Sequence, residues 1–198
     1  MNPDIAHLAT ILQRGGVVLL PTDTIYGLHT VATDAAAIAR IAAIKGRDET
    51  KPFVVLGASR AQLESIGARF DAEARRVVDE LWPGPVTAVV ALNNAIAASR
   101  GNDTIAVRVP SVDWLRDLIQ ITGPLASTSV NRSGEPPLTS PKQLTDETVA
   151  RIDASIDIGP LDAKPSTIVD LSSAEPRLIR EGDALFTQKV WKTLRKSL

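Results

Sequence analysis

LLPTDTIYGLHT, residues 19–30, is the stretch that decides the fold. A buried apolar strand is predicted over residues 17–20, and Pro21 ends its hydrogen-bond ladder. Small hydroxyl groups, one carboxylate and one tyrosine follow directly, and Gly27 is expected to permit a turn there. In open α/β sheets ligands collect at strand ends, because the loops diverge and leave a crevice. The stretch therefore predicts one wall of a ligand pocket.

The composition is that of a globular protein without cysteine. Of 198 residues, 44% are hydrophobic and 23% are charged, which permits a sizeable core. Cysteine is absent, so disulfides, thiolate zinc sites and cysteine nucleophiles are excluded. The two histidines, His7 and His29, are too few for most histidine-based metal sites. Both are expected to be surface or capping residues rather than catalysts.

Charge and hydropathy exclude two further classes of protein. No apolar run reaches the roughly 18 residues of a membrane-spanning helix, and the N-terminus lacks the basic start of a signal peptide. We therefore expect a cytoplasmic protein with no membrane partner. A net charge of −1 and an aromatic share of 4% argue against a protein whose whole surface binds nucleic acid. They do not exclude a local basic patch.

Strand-like and helix-like segments alternate along the chain, which predicts a mixed α/β sheet with helices on its faces. Asp34, Ser59 and Asp71 stand where helix N-caps are expected. The β-branched runs VTAVVAL and TIAVRV are expected to pair. A helix is predicted from about Lys142 to Arg151, followed by short strands and a C-terminal helix. Residues 1–198 are predicted to form one domain.

Cations and small hydroxyl groups recur at the predicted strand ends, whereas the usual catalytic signatures and P-loops are absent from the sequence. Gly46 is the predicted C-cap of a helix. Lys45 and Arg47, on either side of it, could simply complement the dipole of that helix. An arginine inside an apolar strand, Arg108, requires a partner or a ligand. Together the cations favour a polyanion such as a nucleoside triphosphate, held by side chains. They are Lys45, Arg47, Lys51, Arg108 and Arg180.

Seven segments of the sequence, in the order in which they follow one another, resemble the YrdC/TsaC family, the threonylcarbamoyl-AMP synthases of tRNA modification. The resemblance covers nearly the whole chain, through GGVVLLPTDTIYGL, IKGRDETKPFVVL, LWPGPVT, TIAVRVP, ASTSVNRSGEPP, PSTIVD and LIREG. It implies a single-domain twisted mixed sheet with helices on its faces and a concave central cavity. The chain resembles the short form of the family, without the extra C-terminal domain of the long form.

The resemblance implies a nucleotidyltransferase reaction. L-threonine, bicarbonate and ATP would give L-threonylcarbamoyladenylate and pyrophosphate, with Mg²⁺ bridging the phosphates. Separate threonylcarbamoyl transferase proteins would then modify tRNA. Direct binding of tRNA or double-stranded RNA stays open. Such chemistry requires no protein nucleophile, since positioning and charge neutralisation suffice.

The family's site residues carry over to positions in this sequence. The reacting centre is implied to contain Lys45, Arg47, Ser129 and Asn131. L-threonine would contact Thr24, Arg108, Ser129 and Ser166, with Arg108 pairing the carboxylate. ATP would contact Arg47, Lys51, Thr104, Thr128, Asn131, Thr139 and Arg180. No metal-binding protein residues are implied.

Four positions depart from the family pattern. His29 stands where many members have glycine, Lys51 where many have asparagine, and Glu181 where proline is common. Leu56 falls where some longer members carry a histidine that contacts threonine. Two alternative functions remain: an RNA-binding or ribosome-maturation factor of the same fold without ATP turnover, and a relative that handles carbamoyl phosphate. Near-neutral charge counts against the first, because phosphate-driven affinity needs many cations.

Overall fold

One mixed β-sheet dominates the structure, a computed structural model that describes residues 3–46, 51–130 and 138–197. Its path of hydrogen-bonded strands runs β10-β9-β5-β6-β3-β7-β2-β1-β8, and β4 pairs with β5 at one side. The strands are β1 Val18–Pro21, β2 Tyr26–Val31, β3 Val54–Leu56, β4 Ala68–Arg69, β5 Val86–Leu92, β6 Thr104–Arg108, β7 Leu125–Ser129, β8 Ala154–Ser155, β9 Thr167–Asp170 and β10 Arg177–Arg180.

Three helices begin at residues that the sequence predicts as N-caps. The carboxylates of Asp34 and Asp71 and the hydroxyl of Ser59 each accept a backbone N–H three residues ahead. Gly46 ends its helix with φ +57°, as a C-cap requires. No helix among the described residues is long and apolar enough to cross a bilayer. The helices are α1 Ile5–Gln13, α2 Ala35–Lys45, α3 Arg60–Ser65, α4 Ala72–Leu81, α5 Asp113–Thr122, α6 Asp146–Val149 and α7 Ala184–Leu194.

The helix predicted from Lys142 to Arg151 is wrong in extent. A 3₁₀ turn over Pro141–Gln143 precedes the four-residue α6. Leu144 between them has an extended backbone, with ψ of 145°, which separates the two segments. The pairing of β5 with β6 is confirmed and is antiparallel. The β3/β6, β5/β9 and β1/β8 pairs are parallel, which makes the sheet mixed.

The stretch after Pro21 forms a second strand, β2, which the sequence did not predict. Pro21 is the last residue of β1 and lies opposite Tyr26 in an antiparallel pair. Gly27 lies inside β2, opposite Leu20, so the expected turn at Gly27 is wrong. Glycine is needed there for space: a Cβ would lie 2.9 Å from Cε1 of His29. The opening stretch is a β-hairpin whose tight end carries the polar groups.

The two faces of the sheet differ in what covers them. On one face, Leu20, Leu56 and Leu125 are buried in a cluster with side chains of α1 and α5. The opposite face carries the larger core against α2, α4 and α7. Side chains alternate along a strand, so Ser127 and Ser129 lie on the same face as Leu125. That face therefore passes from buried leucines to small and polar residues, and there the cavity lies.

Candidate functional site

A concave cavity of about 490 Å³ opens on the α1/α5 side of the sheet. Four neighbouring strands supply its floor: Gly27 from β2, Val54 from β3, Ala106 and Arg108 from β6, and Ser129 from β7. The volume falls within the range of small-molecule sites. Small floor residues leave this space open, whereas the leucines at neighbouring positions on the same face fill theirs.

Arg108 is the buried cation of the cavity, and only 4% of the residue is exposed. Its Nη1 donates to Oγ1 of Thr24 at 3.0 Å. Burial lowers the pKa of Arg108, and the nearby Asp23 carboxylate opposes that shift. The guanidinium stays charged, because the pKa of arginine lies far above neutrality. Its Nε is buried and has no hydrogen-bond partner among the residues that the structure describes, while the Arg108 side chain lines the cavity.

Asp23 balances this charge, a role that the sequence analysis missed. Its Oδ1 lies 3.5 Å from Nη1 of Arg108, and the two side chains are 7% and 5% exposed. Its Oδ2 accepts hydrogen bonds from the backbone N and the Oγ of Ser111 at 3.0 and 3.1 Å. The requirement of Arg108 for a partner was visible in the sequence. The sequence did not indicate that Asp23 is this partner.

Thr22 and Arg108 together fix the hydroxyl of Thr24. Oγ1 of Thr22 accepts from the backbone N of Thr24 at 3.1 Å and donates to the carbonyl of Ile25 at 2.9 Å. The two threonine hydroxyls lie 2.9 Å apart. Thr24 thus holds a fixed position between Thr22 and Arg108 and lines the cavity. Local hydroxyl-to-backbone bonds of this kind favour a turn over a continued strand.

The opposite wall is formed by Ser166 and Arg180. Nε and Nη2 of Arg180 donate to the carbonyl of Ser166 at 3.1 and 2.9 Å. The hydroxyl of Ser166 lies 2.8 Å from that of Thr87, a fully buried residue. Burial lowers the pKa of Arg180, and repulsion from Arg108 adds to this effect. Two guanidinium groups that face one cavity make it a site for anions.

His29 packs beside Gly27 beneath the cavity floor and is fully buried, so its predicted surface or capping role is wrong. Its side chain shares the cavity face because it lies two residues from Gly27 along β2. Its Nε2 is 3.2 Å from Oγ of Ser127. Burial lowers the pKa of His29 to about 3; the Gly27 carbonyl opposes the shift, and repulsion from Arg108 adds to it. The imidazole is therefore neutral near pH 7. His7 is exposed, as predicted.

Six of the predicted site residues line this one cavity: Thr24, Arg108, Thr128, Ser129, Ser166 and Arg180. Thr104 begins β6 and lies on the same strand face as Ala106 and Arg108, farther along. Leu56, one of the departures, is fully buried in the cluster with α1 and α5.

Five other predicted positions lie away from the cavity lining or outside the described residues. Lys45 is the last residue of α2, and Lys51 is exposed just before β3. Thr139 is exposed, and its backbone N donates to Oε1 of Gln143. Arg47 and Asn131 lie outside the described residues.

The described residues do not form a magnesium site. Within them, no group of three acidic, histidine or cysteine side chains is close enough to hold a metal ion. Asp23, the acid beside Arg108, is committed to Ser111 and to the guanidinium. Mg²⁺ commonly binds through substrate phosphates with few protein ligands, so we assign none of these residues to it.

Known proteins resemble this chain in sequence and fold. The family model for Sua5, YciO and YrdC proteins, described as "Telomere recombination", matches residues 10–182. A threonylcarbamoyl-AMP synthase of Chromohalobacter salexigens is 39% identical over 86% of this chain and 94% of its own length. One of Pyrococcus abyssi is 34% identical over 88% of this chain and 52% of its own length. The chain thus spans about half of the Pyrococcus relative.

A solved structure agrees with these sequence relatives. The crystal structure of P. abyssi Sua5 complexed with L-threonine matches with a TM-score of 0.85 and 33% identity. The match covers 94% of this chain and 56% of that one. The match therefore extends over most of this chain.

Proposed function

This chain belongs to the Sua5/YciO/YrdC family, and from that premise we propose that it is an L-threonylcarbamoyladenylate synthase. The enzyme is a nucleotidyltransferase that joins L-threonine, bicarbonate and ATP to give threonylcarbamoyl-AMP and pyrophosphate, for the threonylcarbamoyladenosine modification of tRNA. One observation carries the proposal: a buried, charged and incompletely hydrogen-bonded Arg108 lines a small cavity rich in hydroxyl groups. Such a group is suited to the carboxylate of an amino acid.

The amino acid half of the site would use the hairpin end and the wall opposite it. Arg108 would pair with the threonine carboxylate, and the Thr24 oxygen, which already accepts from Arg108, would accept a further hydrogen bond. Ser129 and Ser166 line the same cavity within reach of a small ligand. Because Arg108 is buried, its contact with a carboxylate would be little screened by salt.

The nucleotide half would use the remaining cations and hydroxyls. Arg180 and Thr128 line the cavity, while Thr104, Lys51 and Thr139 lie beyond its lining and would reach an ATP molecule that extends past it. Arg47 and Asn131, from the family pattern, would complete the contacts with the phosphates. Arg180 would have to exchange part of its bonding to Ser166 for phosphate oxygens.

The reaction then requires only alignment and charge. The threonine amine and bicarbonate would form a carbamate with loss of water. A carbamate oxygen would attack the α-phosphorus of ATP, and the bond from that phosphorus to the β-phosphate oxygen would break, so that pyrophosphate leaves. Lys45, Arg47, Ser129 and Asn131 would hold the two anions in line and neutralise them, as expected for phosphoryl-type chemistry without a protein nucleophile.

The wider setting follows from this activity and forms part of the proposal. Residues 1–198 would act as one domain in the cytoplasm, where tRNA is modified. Separate transferase proteins would take the threonylcarbamoyl group from the adenylate and pass it to tRNA. Mg²⁺ would arrive bound to the ATP phosphates.

Pyrophosphate release from ATP tests the function. We expect release that depends on both L-threonine and bicarbonate, with each omission reducing the rate to background. Glycine in place of threonine serves as the matched control substrate, since it carries the carboxylate and amine without the side chain. Release that is indifferent to threonine and bicarbonate would contradict the proposal. Salt-sensitive tRNA binding without any ATP turnover would instead indicate the RNA-binding factor.

A further inference from the structure

The segment between β8 and β9 has no regular secondary structure, and its last two residues line the cavity. We call residues 157–166 the strap. Pro165 and Ser166 at its end line the cavity, and Arg180 donates to the carbonyl of Ser166. Since neither a helix nor a strand fixes the strap, its position depends on individual hydrogen bonds.

Two of these bonds come from the hydroxyl of Tyr26. The phenol donates to the carbonyl of Gly159 at 2.7 Å and accepts from the backbone N of Ile158 at 3.0 Å. Tyr26 is 1% exposed, belongs to β2 and lines the cavity together with Gly27. Burial raises the pKa of the Tyr26 phenol, so the hydroxyl keeps its proton and remains a donor near pH 7.

The strap also reaches the region assigned to the nucleotide. The carboxylate of Asp157 accepts from the backbone N of Gly159 at 2.8 Å, and Gly159 adopts φ +90°. Two residues farther along, the backbone N of Leu161 donates to the carbonyl of Thr139 at 2.8 Å. The fixed turn at residues 157–159 therefore lies next to the contact that holds Thr139, in the same strap that ends at Ser166.

We propose that Tyr26 is a positioning residue for both substrates: its hydroxyl fixes the strap, and the strap fixes Ser166 and Thr139. Tyr26 itself contacts neither the reacting atoms nor the phosphates in this role. The inference rests on the proposed function, because Ser166 and Thr139 are assigned there to threonine and ATP. The hydroxyl, rather than the buried ring, carries the role.

Tyr26→Phe separates the hydroxyl from the ring. The matched control is Thr30→Val on the same strand, which removes another buried hydroxyl bond, from Thr30 to the carbonyl of Gly16 at 2.9 Å. In Tyr26→Phe we expect amide hydrogen exchange in peptides covering residues 157–163 to become about 3- to 10-fold faster, the scale of one lost hydrogen bond. We expect the KM values for threonine and ATP to rise by a similar factor while kcat stays within about twofold. Thr30→Val should change none of these.

A second variant keeps the test decisive if Tyr26→Phe folds poorly. Asp157→Ala changes an exposed strap residue and removes the acceptor for Gly159, so it should loosen the same peptides and raise both KM values to a smaller extent. Unchanged strap exchange in either variant, unchanged KM values, or equal effects in Thr30→Val would overturn the inference. A wild-type protein without threonine-dependent pyrophosphate release would mark failure of the proposed function. An active wild type that Tyr26→Phe leaves unaltered would mark failure of this inference alone.

Discussion

Nη1 of Arg108 lies 3.5 Å from Oδ1 of Asp23, and both side chains are nearly excluded from solvent. The two side chains do not satisfy each other fully. The other carboxylate oxygen of Asp23 accepts from Ser111, and Nε of Arg108 has no hydrogen-bond partner in the described part of the chain. A buried charge without full pairing is costly unless a ligand completes it. The pair therefore holds a cation in the floor of the cavity that a substrate carboxylate can satisfy.

Asp23→Asn tests the first half of this relationship. Removing the negative charge leaves Arg108 buried without its counter-ion, so the free energy of unfolding should fall by roughly 3 kcal/mol. Urea denaturation without substrates measures this change. Asp113→Asn is the control, because Asp113 pairs with Arg116 on the surface, where its side chain is 89% exposed. The control should lose at most about 1 kcal/mol of the free energy of unfolding. Equal losses in the two variants would show that the buried pair stabilises the fold no more than the surface pair does.

Arg108→Lys tests the second half. Lysine keeps a positive charge near Asp23 but loses the planar fork that pairs with a carboxylate through two bonds. The KM for threonine should rise by about 10- to 100-fold, the scale of a lost charged hydrogen bond, with the KM for ATP within about twofold. Steady-state pyrophosphate release measures both. Arg116→Lys on α5 should change neither, and an unchanged threonine KM in Arg108→Lys would remove Arg108 from the amino acid site.

Lys45→Ala and Arg47→Ala test the reacting centre. Each should reduce turnover by at least ~100-fold, because on the proposed assignment each would remove one preorganised charge contact with the transition state. Arg40→Ala is the matched control on α2, since Arg40 pairs with Asp153 on the protein surface. Single-turnover rates at saturating threonine and ATP decide the outcome. Near-normal rates in both variants would show that the Lys-x-Arg pair does not belong to the reacting centre.

The neutral His29 gives the stability a pH dependence. Its pKa is about 3 in the folded protein and about 6.5 when unfolded, so between these values only the unfolded chain takes up the proton. Stability is therefore fully present above about pH 6.5 and is lost as the pH falls, by about 1.4 kcal/mol per pH unit. His29→Gln, which cannot titrate, should lose less. Urea denaturation at about pH 7 and about pH 5 should reveal a difference of about 2 kcal/mol between the two losses. Parallel losses would contradict the buried, neutral histidine.

Local signals predicted much of the framework. Asp34, Ser59 and Asp71 cap helices because a side-chain oxygen close in sequence satisfies the first free N–H groups, and that requires no knowledge of the tertiary fold. The β5/β6 pair also followed from β-branched runs close in sequence. The family resemblance, rather than the pattern alone, supplied the cavity residues.

Residues distant in sequence decided the rest. β2 was missed because Tyr26–Val31 is buried along nearly its whole length and so lacks the alternation of a half-buried strand. Its partners also include β7, far along the chain. The burial of His29 and the pairing of Asp23 depend on Ser127 and Arg108, which reach them only in the folded sheet. The helix predicted over residues 142–151 is interrupted because Leu144 has an extended backbone.

Product identity tests the central claim most directly. The purified protein would be incubated with L-threonine, ATP, Mg²⁺ and ¹³C-bicarbonate, and the products would be separated and weighed by mass spectrometry. The proposed reaction predicts L-threonylcarbamoyladenylate that carries one ¹³C atom, formed in step with pyrophosphate and absent without threonine. Formation of ADP, or of AMP and pyrophosphate without any labelled adenylate at early times, would contradict it.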